Sequence, residues 1–437
     1  MSEQPRASFG GKLSVILVAA GSAIGLGALW RFPYVAGKHG GAAFLLVFLL
    51  CVLVVGIPAM LAEFAVGRNT RKNAVGAFRS ISRNWKWLGY SGVICAALIS
   101  GYYYIIAGWS LEYLVNSVTG SMFSSGVPFK EQFDTFLASS RPLWYCIAFI
   151  LLTHFIVARG VEKGIEKASR IMMPALLVIL LVMAVRVAFM PGASEGYRFF
   201  LSCDFATAFS PETIMMAMGQ AFFSLSVGMG CMVTYSSYFK NDNNIVSTSL
   251  NVSLLTIFVS FLAGLVIFPA VFSAGLEPSA GEGLVFVTLP EIFNGMPLAA
   301  VWSTIFFVLV VLASLTSTIS FHEVLTAYIS EEFKLTRRVS ATITTLLSIL
   351  LCTVTFYSIF GVNYFTLFDY LSANIIMPLG ALLTCVLVMW FMKSEFMKGE
   401  LTNFGKVNRR STPVIMFMLK YITPLLIFYI FISNFMK

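Results

Sequence analysis

Two stretches of this apolar chain carry residue types that can do chemistry inside a membrane: AAGSAIGLGALWRFPY at 19–34 and GQAFFSLSVGMGCMVTYSSY at 219–238. The first holds Gly21, Gly25 and Gly27, and the second holds Ser224, Ser226, Gly228 and Gly230. Each set falls inside what hydropathy marks as a membrane-crossing helix. Gly21 and Gly25 form a GxxxG pair, for which close helix packing is one reading. That reading accounts neither for the third glycine nor for the serines of the second stretch. Glycine disfavours helix, and backbone groups freed from a helix within a bilayer persist only where they line a cavity. Freed carbonyls can hold a cation, and amides at a half-helix N-terminus can hold an anion.

Composition and hydropathy supply the elements that position these breaks. With 58% hydrophobic residues, 11% charged residues and a mean hydropathy of +0.86, the chain is far more apolar than a soluble domain. It reads as an all-α integral membrane protein. Runs of about 20 apolar residues, each long enough to cross the hydrocarbon, mark eleven spans near 13–36, 41–66, 87–117, 142–158, 166–190, 211–238, 245–273, 298–329, 339–360, 364–392 and 413–435. The segment SAGLEPSAGEGLVFVTLPEIFNG, between spans seven and eight, reads as a re-entrant or surface helix pair.

With the amino terminus cytoplasmic, about 21 of the 29 Lys and Arg residues fall on the cytoplasmic side, the expected bias for this topology. Eleven spans then leave the carboxyl terminus outside, and the expected location is the cell membrane. Inner loops facing anionic lipid account for the formal charge of +9 without any nucleic acid. The polar start MSEQPRASFGGK runs directly into a full-length span, which predicts no cleaved signal peptide. Six of the seven cysteines fall within spans, Cys203 falls in an outer loop, and the three histidines are scattered. This spacing indicates neither a disulfide framework nor a metal cluster.

The interrupted spans are the first and the sixth. If spans one to five (12–190) and six to ten (211–393) are related halves of opposite topology, with span eleven (413–435) appended, the breaks occupy corresponding positions. A single transporter domain over 1–437 with a midplane binding site follows from that arrangement.

Together with GGAAFLLVFLL, VGIPAMLAEFAVGR, GYYYIIAGWSLEYL, LASLTSTIS and FDYLSANIIMPLG, in this order, the two stretches resemble the neurotransmitter:sodium symporter family. The likeness is to its bacterial, eleven-span amino acid transporter branch, with a LeuT-type fold of 5+5 inverted repeats and broken helices one and six. The resemblance implies a sodium site of five oxygens from Gly21, Ile24, Ala313, Thr316 and Ser317, a set that suits a hard monovalent cation. At a second sodium site the chain departs from the pattern. Ala28 and Thr256 stand where the family places Asn, which leaves the Ala23 carbonyl, Ser224 and Thr256 as donors. For chloride, Phe48 replaces the Tyr of chloride-dependent members, and Ser260 replaces an acidic residue frequent in chloride-independent ones.

Amine carriers of the family have Asp where this chain has Gly25, so the resemblance implies a substrate that brings its own carboxylate. The amides of Leu26 and Gly27 and the Tyr103 hydroxyl would receive it, and the carbonyls of Ala23 and Phe223 with the Ser226 hydroxyl would hold the ammonium. Ile99, Met229, Thr318 and Phe321 would line an apolar, adaptable side-chain pocket, with Phe223 as its lid. Arg31 with Asp369, and Gln220 nearby, resembles the outer gate. Arg6 with Glu331, braced by Tyr238, resembles the inner gate, although Phe9 replaces a Trp and Glu331 an Asp. Glu63 would accept from amides freed in span six, while Glu112 and Glu323 carry no assigned role.

The expected function is therefore sodium-coupled import of a neutral, hydrophobic amino acid by alternating access, with spans one, two, six and seven rocking. A non-transporting amino acid sensor on the same fold is the alternative. A channel would need a continuous polar pore, and an enzyme a clustered nucleophile, base or metal set; the sequence presents neither.

Overall fold

A computed structural model describes residues 7–275, 283–358, 361–407 and 410–433, and every regular element among them is helical. Nine of these helices are long and apolar enough to cross a membrane: Ala42–Thr70, Arg83–Thr119, Arg141–Ala158, Val161–Ala188, Ile245–Ser273, Ala299–Glu332, Arg337–Phe356, Tyr364–Phe391 and Thr412–Ser433. They are spans two to five and seven to eleven. Span one is a bent pair, Lys12–Ala23 and Gly27–Lys38, with 52° between its halves. Span six is also in two pieces, Pro211–Leu225 and Cys231–Ser236, which completes the expected eleven.

Several ends differ from the hydropathy reading. Span five begins earlier than 166, at Val161, because a π-helical turn carries Glu162 and Lys163 into the helix after Gly160 at φ 99°. Hydropathy stops at such charges, whereas a helix end at the membrane surface tolerates them. Between spans seven and eight the described part is one apolar helix, Leu284–Asn294, instead of a pair; residues 276–282 lie outside the described residues. Its Phe286 packs edge-on against Trp109 and Tyr113 of span three, at ring-centre distances of 5.6 and 5.2 Å.

Each break has a local cause. In span one the helix ends at Ile24, which leaves helical geometry at φ −97° and ψ 88°, and regular turns resume only beyond Gly25, as a π-helical turn from Gly27 to Arg31. In span six, Ser210 caps the first half by accepting from Thr213 N at 3.2 Å, and Pro211 sits in the first turn, where its missing N–H costs nothing. That half stops where Ser226 turns left-handed at φ 52°, and Gly228 and Gly230 follow at φ 85° and 77°. Gly228 is also pressed against the Met377 carbonyl of span ten, so any side chain there would meet backbone as well as a disfavoured φ.

Span three packs along span eight, while the first half of span one lies against spans five, seven and eight. Both halves of span six rest on span two. The two breaks therefore sit side by side, enclosed by long unbroken helices. At the far end of span two, buried Arg68 pairs with Glu400, donates to Asn403 Oδ1 at 3.0 Å and reaches the Asn243 carbonyl. Because removing one partner would leave a buried charge uncompensated, this cluster pins the helix Ser394–Leu401 to the bundle.

Candidate functional site: two broken helices facing span eight

Span eight supplies the clearest polar chemistry at the breaks. Its hydroxyls at Ser314, Thr318 and Ser320 bond back to carbonyls of the same helix, at Val310, Leu315 and Thr316 respectively. That is the ordinary fate of Ser and Thr in a helix. Thr316 and Ser317 behave differently. Thr316 Oγ1 donates across to the Ile24 carbonyl at 3.1 Å as well as to Ala313 O at 2.8 Å, and Ser317 Oγ reaches the Ser22 carbonyl at 3.4 Å. Gly21 lies so close that a Cβ built on it would sit 3.6 Å from the Thr316 Cβ. Thr316 thus joins the Ile24 and Ala313 carbonyls, Gly21 packs against it, and Ser317 turns to the neighbouring Ser22 carbonyl.

One turn along, the Leu26 amide donates to the Tyr103 hydroxyl at 2.9 Å. A Cβ at Gly25 would collide with Ser317 Oγ and lie 2.6 Å from the Tyr103 oxygen, so this position admits no side chain. Ser226 Oγ donates to the Ser22 carbonyl at 2.9 Å, and this ties the two breaks together. Ser22 thus receives two hydroxyls from two spans. Sequence reasoning passed over it, although it lies within the glycine-rich stretch, because its contribution is a carbonyl. Ile99, Met229, Thr318 and Phe321 are all buried, and Phe321 is edge-on to Tyr103 at 5.3 Å. The Thr318 hydroxyl also bonds to Thr153 of span four at 3.0 Å, so that residue offers mainly its methyl face.

Phe223 covers the break. Its ring would stand 2.7 Å from a Cβ on Gly27, and the Arg31 guanidinium lies over its other side, 4.8 Å from the ring centre. Arg31 and Asp369 form no ion pair among the described residues, in contrast to the sequence expectation, because the guanidinium is engaged by the aromatic face. Gln220 is likewise turned inward: its Nε2 donates to the Gly27 carbonyl at 2.7 Å and to Ser224 Oγ at 2.8 Å. Thr256 Oγ1 bonds back to Val252 O at 2.9 Å, Ser224 Oγ is held by Gln220, and Ala28 is fully buried.

At the opposite end, Arg6 lies outside the described residues. Its expected partner Glu331 accepts from the backbone and side-chain nitrogens of Asn73, at 2.7 and 3.0 Å. Phe9 is buried edge-on to Tyr238 at 5.7 Å and donates its amide to the Tyr238 carbonyl at 3.1 Å. Tyr238 in turn donates to Glu323 Oε1 at 2.6 Å, and Arg337 grips both oxygens of that carboxylate at 3.1 and 2.5 Å. Glu323 and Arg337 were not assigned from sequence. A carboxylate within an apolar span demanded a cation, but the cation opens the next helix and only packing identifies it.

Glu63 Oε1 accepts the Gly228 amide at 2.6 Å, one of the backbone groups released by the break in span six. Stranding a buried amide costs about 1–3 kcal/mol. Glu63→Ala is therefore expected to lower the melting temperature of the detergent-solubilised protein, while Glu63→Gln, which keeps an acceptor, recovers most of the loss. Equal melting temperatures for the two variants would refute the assignment.

Two broken spans meet here at bare backbone and neutral oxygens, within a bundle of membrane-crossing helices. Comparison with known proteins gives the family. Residues 6–131 and 128–437 match the model of the Sodium:neurotransmitter symporter family, and the chain belongs to it. It is 36% identical to an uncharacterized sodium-dependent transporter of Bacillus subtilis, over 99% of this chain and 98% of that one. It is 27% identical to the sodium-dependent dopamine transporter of Bos taurus, over 89% of this chain and 63% of that one. Among solved structures, that of MhsT in complex with L-phenylalanine superposes with a TM-score of 0.91 at 37% identity, covering 98% of this chain and all of that one. The protein is a sodium-dependent transporter with a LeuT-type fold.

Proposed function

We propose that this chain imports a neutral, hydrophobic amino acid by alternating access, driven by sodium bound at Gly21, Ile24, Ala313, Thr316 and Ser317. The observation that carries the reading is the behaviour of Thr316 and Ser317, whose hydroxyls reach carbonyls of the broken first span, Thr316 while also bonding Ala313 O of its own helix. Hydroxyls and carbonyls convergent on one point offer the partial charges that a monovalent cation can exchange for water. Next to them, the Leu26 amide and Tyr103 hydroxyl are placed for a carboxylate, and the Gly27 amide follows at the start of the second half-helix. The carbonyls of Ala23 and Phe223 and the Ser226 hydroxyl receive the ammonium. Any side chain at Gly25 would intrude between Ser317 and Tyr103, where the substrate's charged ends are expected.

The buried wall of Ile99, Met229, Thr318 and Phe321 favours an uncharged, apolar side chain, in keeping with the L-phenylalanine bound by MhsT. Arg31 stacked on Phe223 closes one side. On release of that stack, Asp369 becomes the partner of Arg31, and the Glu331 end serves as the other gate with Arg6. The residues 12–190 and 211–393 act as the two inverted repeats, with the amino terminus cytoplasmic and the carboxyl terminus outside. With Ala28 in place of an Asn, the second site keeps only the Ala23 carbonyl, Ser224 and Thr256, which makes the first of the two sodium sites the principal one.

Reconstituted into proteoliposomes, the full chain is expected to accumulate labelled L-phenylalanine or L-leucine when sodium is high outside, and to stop when potassium replaces it. Moving one charge down a 100 mV potential supplies about 2.3 kcal/mol, enough for a concentration ratio of roughly fifty. Saturable binding without accumulation would instead mark a sensor on the same fold.

A further inference from the structure

The chain leaving span two at Thr70 and the chain leaving span ten at Phe391 enclose an open cavity of 590 Å³. Its wall divides by chemistry. Lys72, Lys393 and Ser80 make up a polar side, and Ile81, Phe391 and Phe396 an apolar one. No Asp or Glu lies on that wall, and neither lysine forms an ion pair among the described residues. Glu395 is exposed and off the wall, while Glu400 on the same helix is already held by Arg68. The Lys72 stem runs along the helix Ala74–Ile81, where a Cβ built on Gly76 would meet Lys72 Cβ at 3.2 Å and Cδ at 3.5 Å.

The apolar side continues outward as a group of rings. Trp85 stacks on Trp87 at 6.1 Å and meets Phe391 edge-on at 5.1 Å, with Trp87 49% and Phe391 67% exposed. Next to Phe391 in the chain, Trp390 donates Nε1 to the Lys420 carbonyl at 3.1 Å, and the Lys420 ammonium lies 5.1 Å from its ring centre. Tryptophans and lysines gather in this way at the level of lipid head groups. Two cations facing one cavity without a carboxylate ask for an anion, and exposed rings leading away from it ask for an apolar tail.

We propose that this cavity holds the phosphodiester head of a phospholipid with net negative charge. Its phosphate lies between Lys72 and Lys393, and its acyl chains leave across Phe391 and Trp87. A zwitterionic lipid is disfavoured because its own ammonium meets two lysines. The topology proposed above sets this end in the cytoplasm and so names the inner leaflet as the source; the binding itself does not depend on it.

The test is native mass spectrometry of the purified full chain in detergent, titrated with dioleoylphosphatidylglycerol and, separately, with dioleoylphosphatidylcholine, a format that does not read topology. One phosphatidylglycerol is expected to bind about tenfold or more tightly than phosphatidylcholine. Lys72→Gln with Lys393→Gln should bring the two lipids within about twofold of each other. Ser80→Trp, which fills the cavity and keeps both lysines, should weaken phosphatidylglycerol about tenfold. Lys334→Gln with Arg338→Gln removes two exposed charges from the same end of the bundle and should leave the preference intact. Wild-type melting temperatures without added lipid would show that the variants are folded. Equal binding of the two lipids, a preference that survives either the lysine pair or Ser80→Trp, or one lost equally in the Lys334 and Arg338 variant would overturn the proposal. Displacement of phosphatidylglycerol by excess inorganic phosphate would overturn it too, since the site would then belong to a free anion.

Discussion

Gly25→Ala is expected to cost the purified protein at least about a hundredfold in amino acid affinity while leaving it folded. The single added carbon would strike Ser317 Oγ and crowd the Tyr103 oxygen, the two groups that frame the Leu26 amide. Blocking two charge-assisted hydrogen bonds to a carboxylate removes about 3–6 kcal/mol, and each 1.4 kcal/mol is about tenfold. The fold should survive because Gly25 does not rely on a left-handed conformation, so alanine fits the backbone even where it does not fit the site. Gly219→Ala is the matching control. A Cβ there meets nothing within 4 Å, and the substitution favours helix in span six. Scintillation proximity binding of labelled L-phenylalanine on both variants decides the matter: equal affinities would show that Gly25 does not border the substrate.

The breaks were legible in the sequence because their cause is local. Glycines and serines in the middle of an apolar run conflict with both helix propensity and the bilayer, and that conflict needs no tertiary information. Span number was legible for the same reason, since about 20 apolar residues in a row admit few other structures. What escaped depends on helices distant in sequence. The Tyr238, Glu323 and Arg337 cluster joins spans six, eight and nine, and Glu112 meets Arg141 only because span four begins beside the end of span three. The Arg31 guanidinium had two attractive neighbours, a carboxylate and an aromatic face, and only the packing of span six decided for Phe223. Ser22 contributes through its carbonyl, which every residue possesses, so side-chain chemistry could not single it out.

The proposed sodium site yields the second large effect. Thr316→Val combined with Ser317→Ala preserves volume closely but deletes the two hydroxyls that turn toward span one, so the ion loses two of five oxygens. At about 1.5–3 kcal/mol for each bond to a charged group, the double variant should weaken sodium binding by about 10² to 10⁴-fold. Sodium that binds only the folded state raises stability as its concentration exceeds the dissociation constant. The wild-type melting temperature should therefore climb when sodium replaces potassium, and the double variant should show almost no response across the same range. Ser314→Ala separates this from a general loss of polarity in span eight, because the Ser314 hydroxyl bonds only within its own helix, at 2.7 Å from Val310 O, and its removal should leave the sodium response intact. A sodium response that survives in the double variant would place the ion elsewhere. If it fell equally in Ser314→Ala, the effect would belong to the helix as a whole, because only a site built across two spans distinguishes adjacent hydroxyls by where they point.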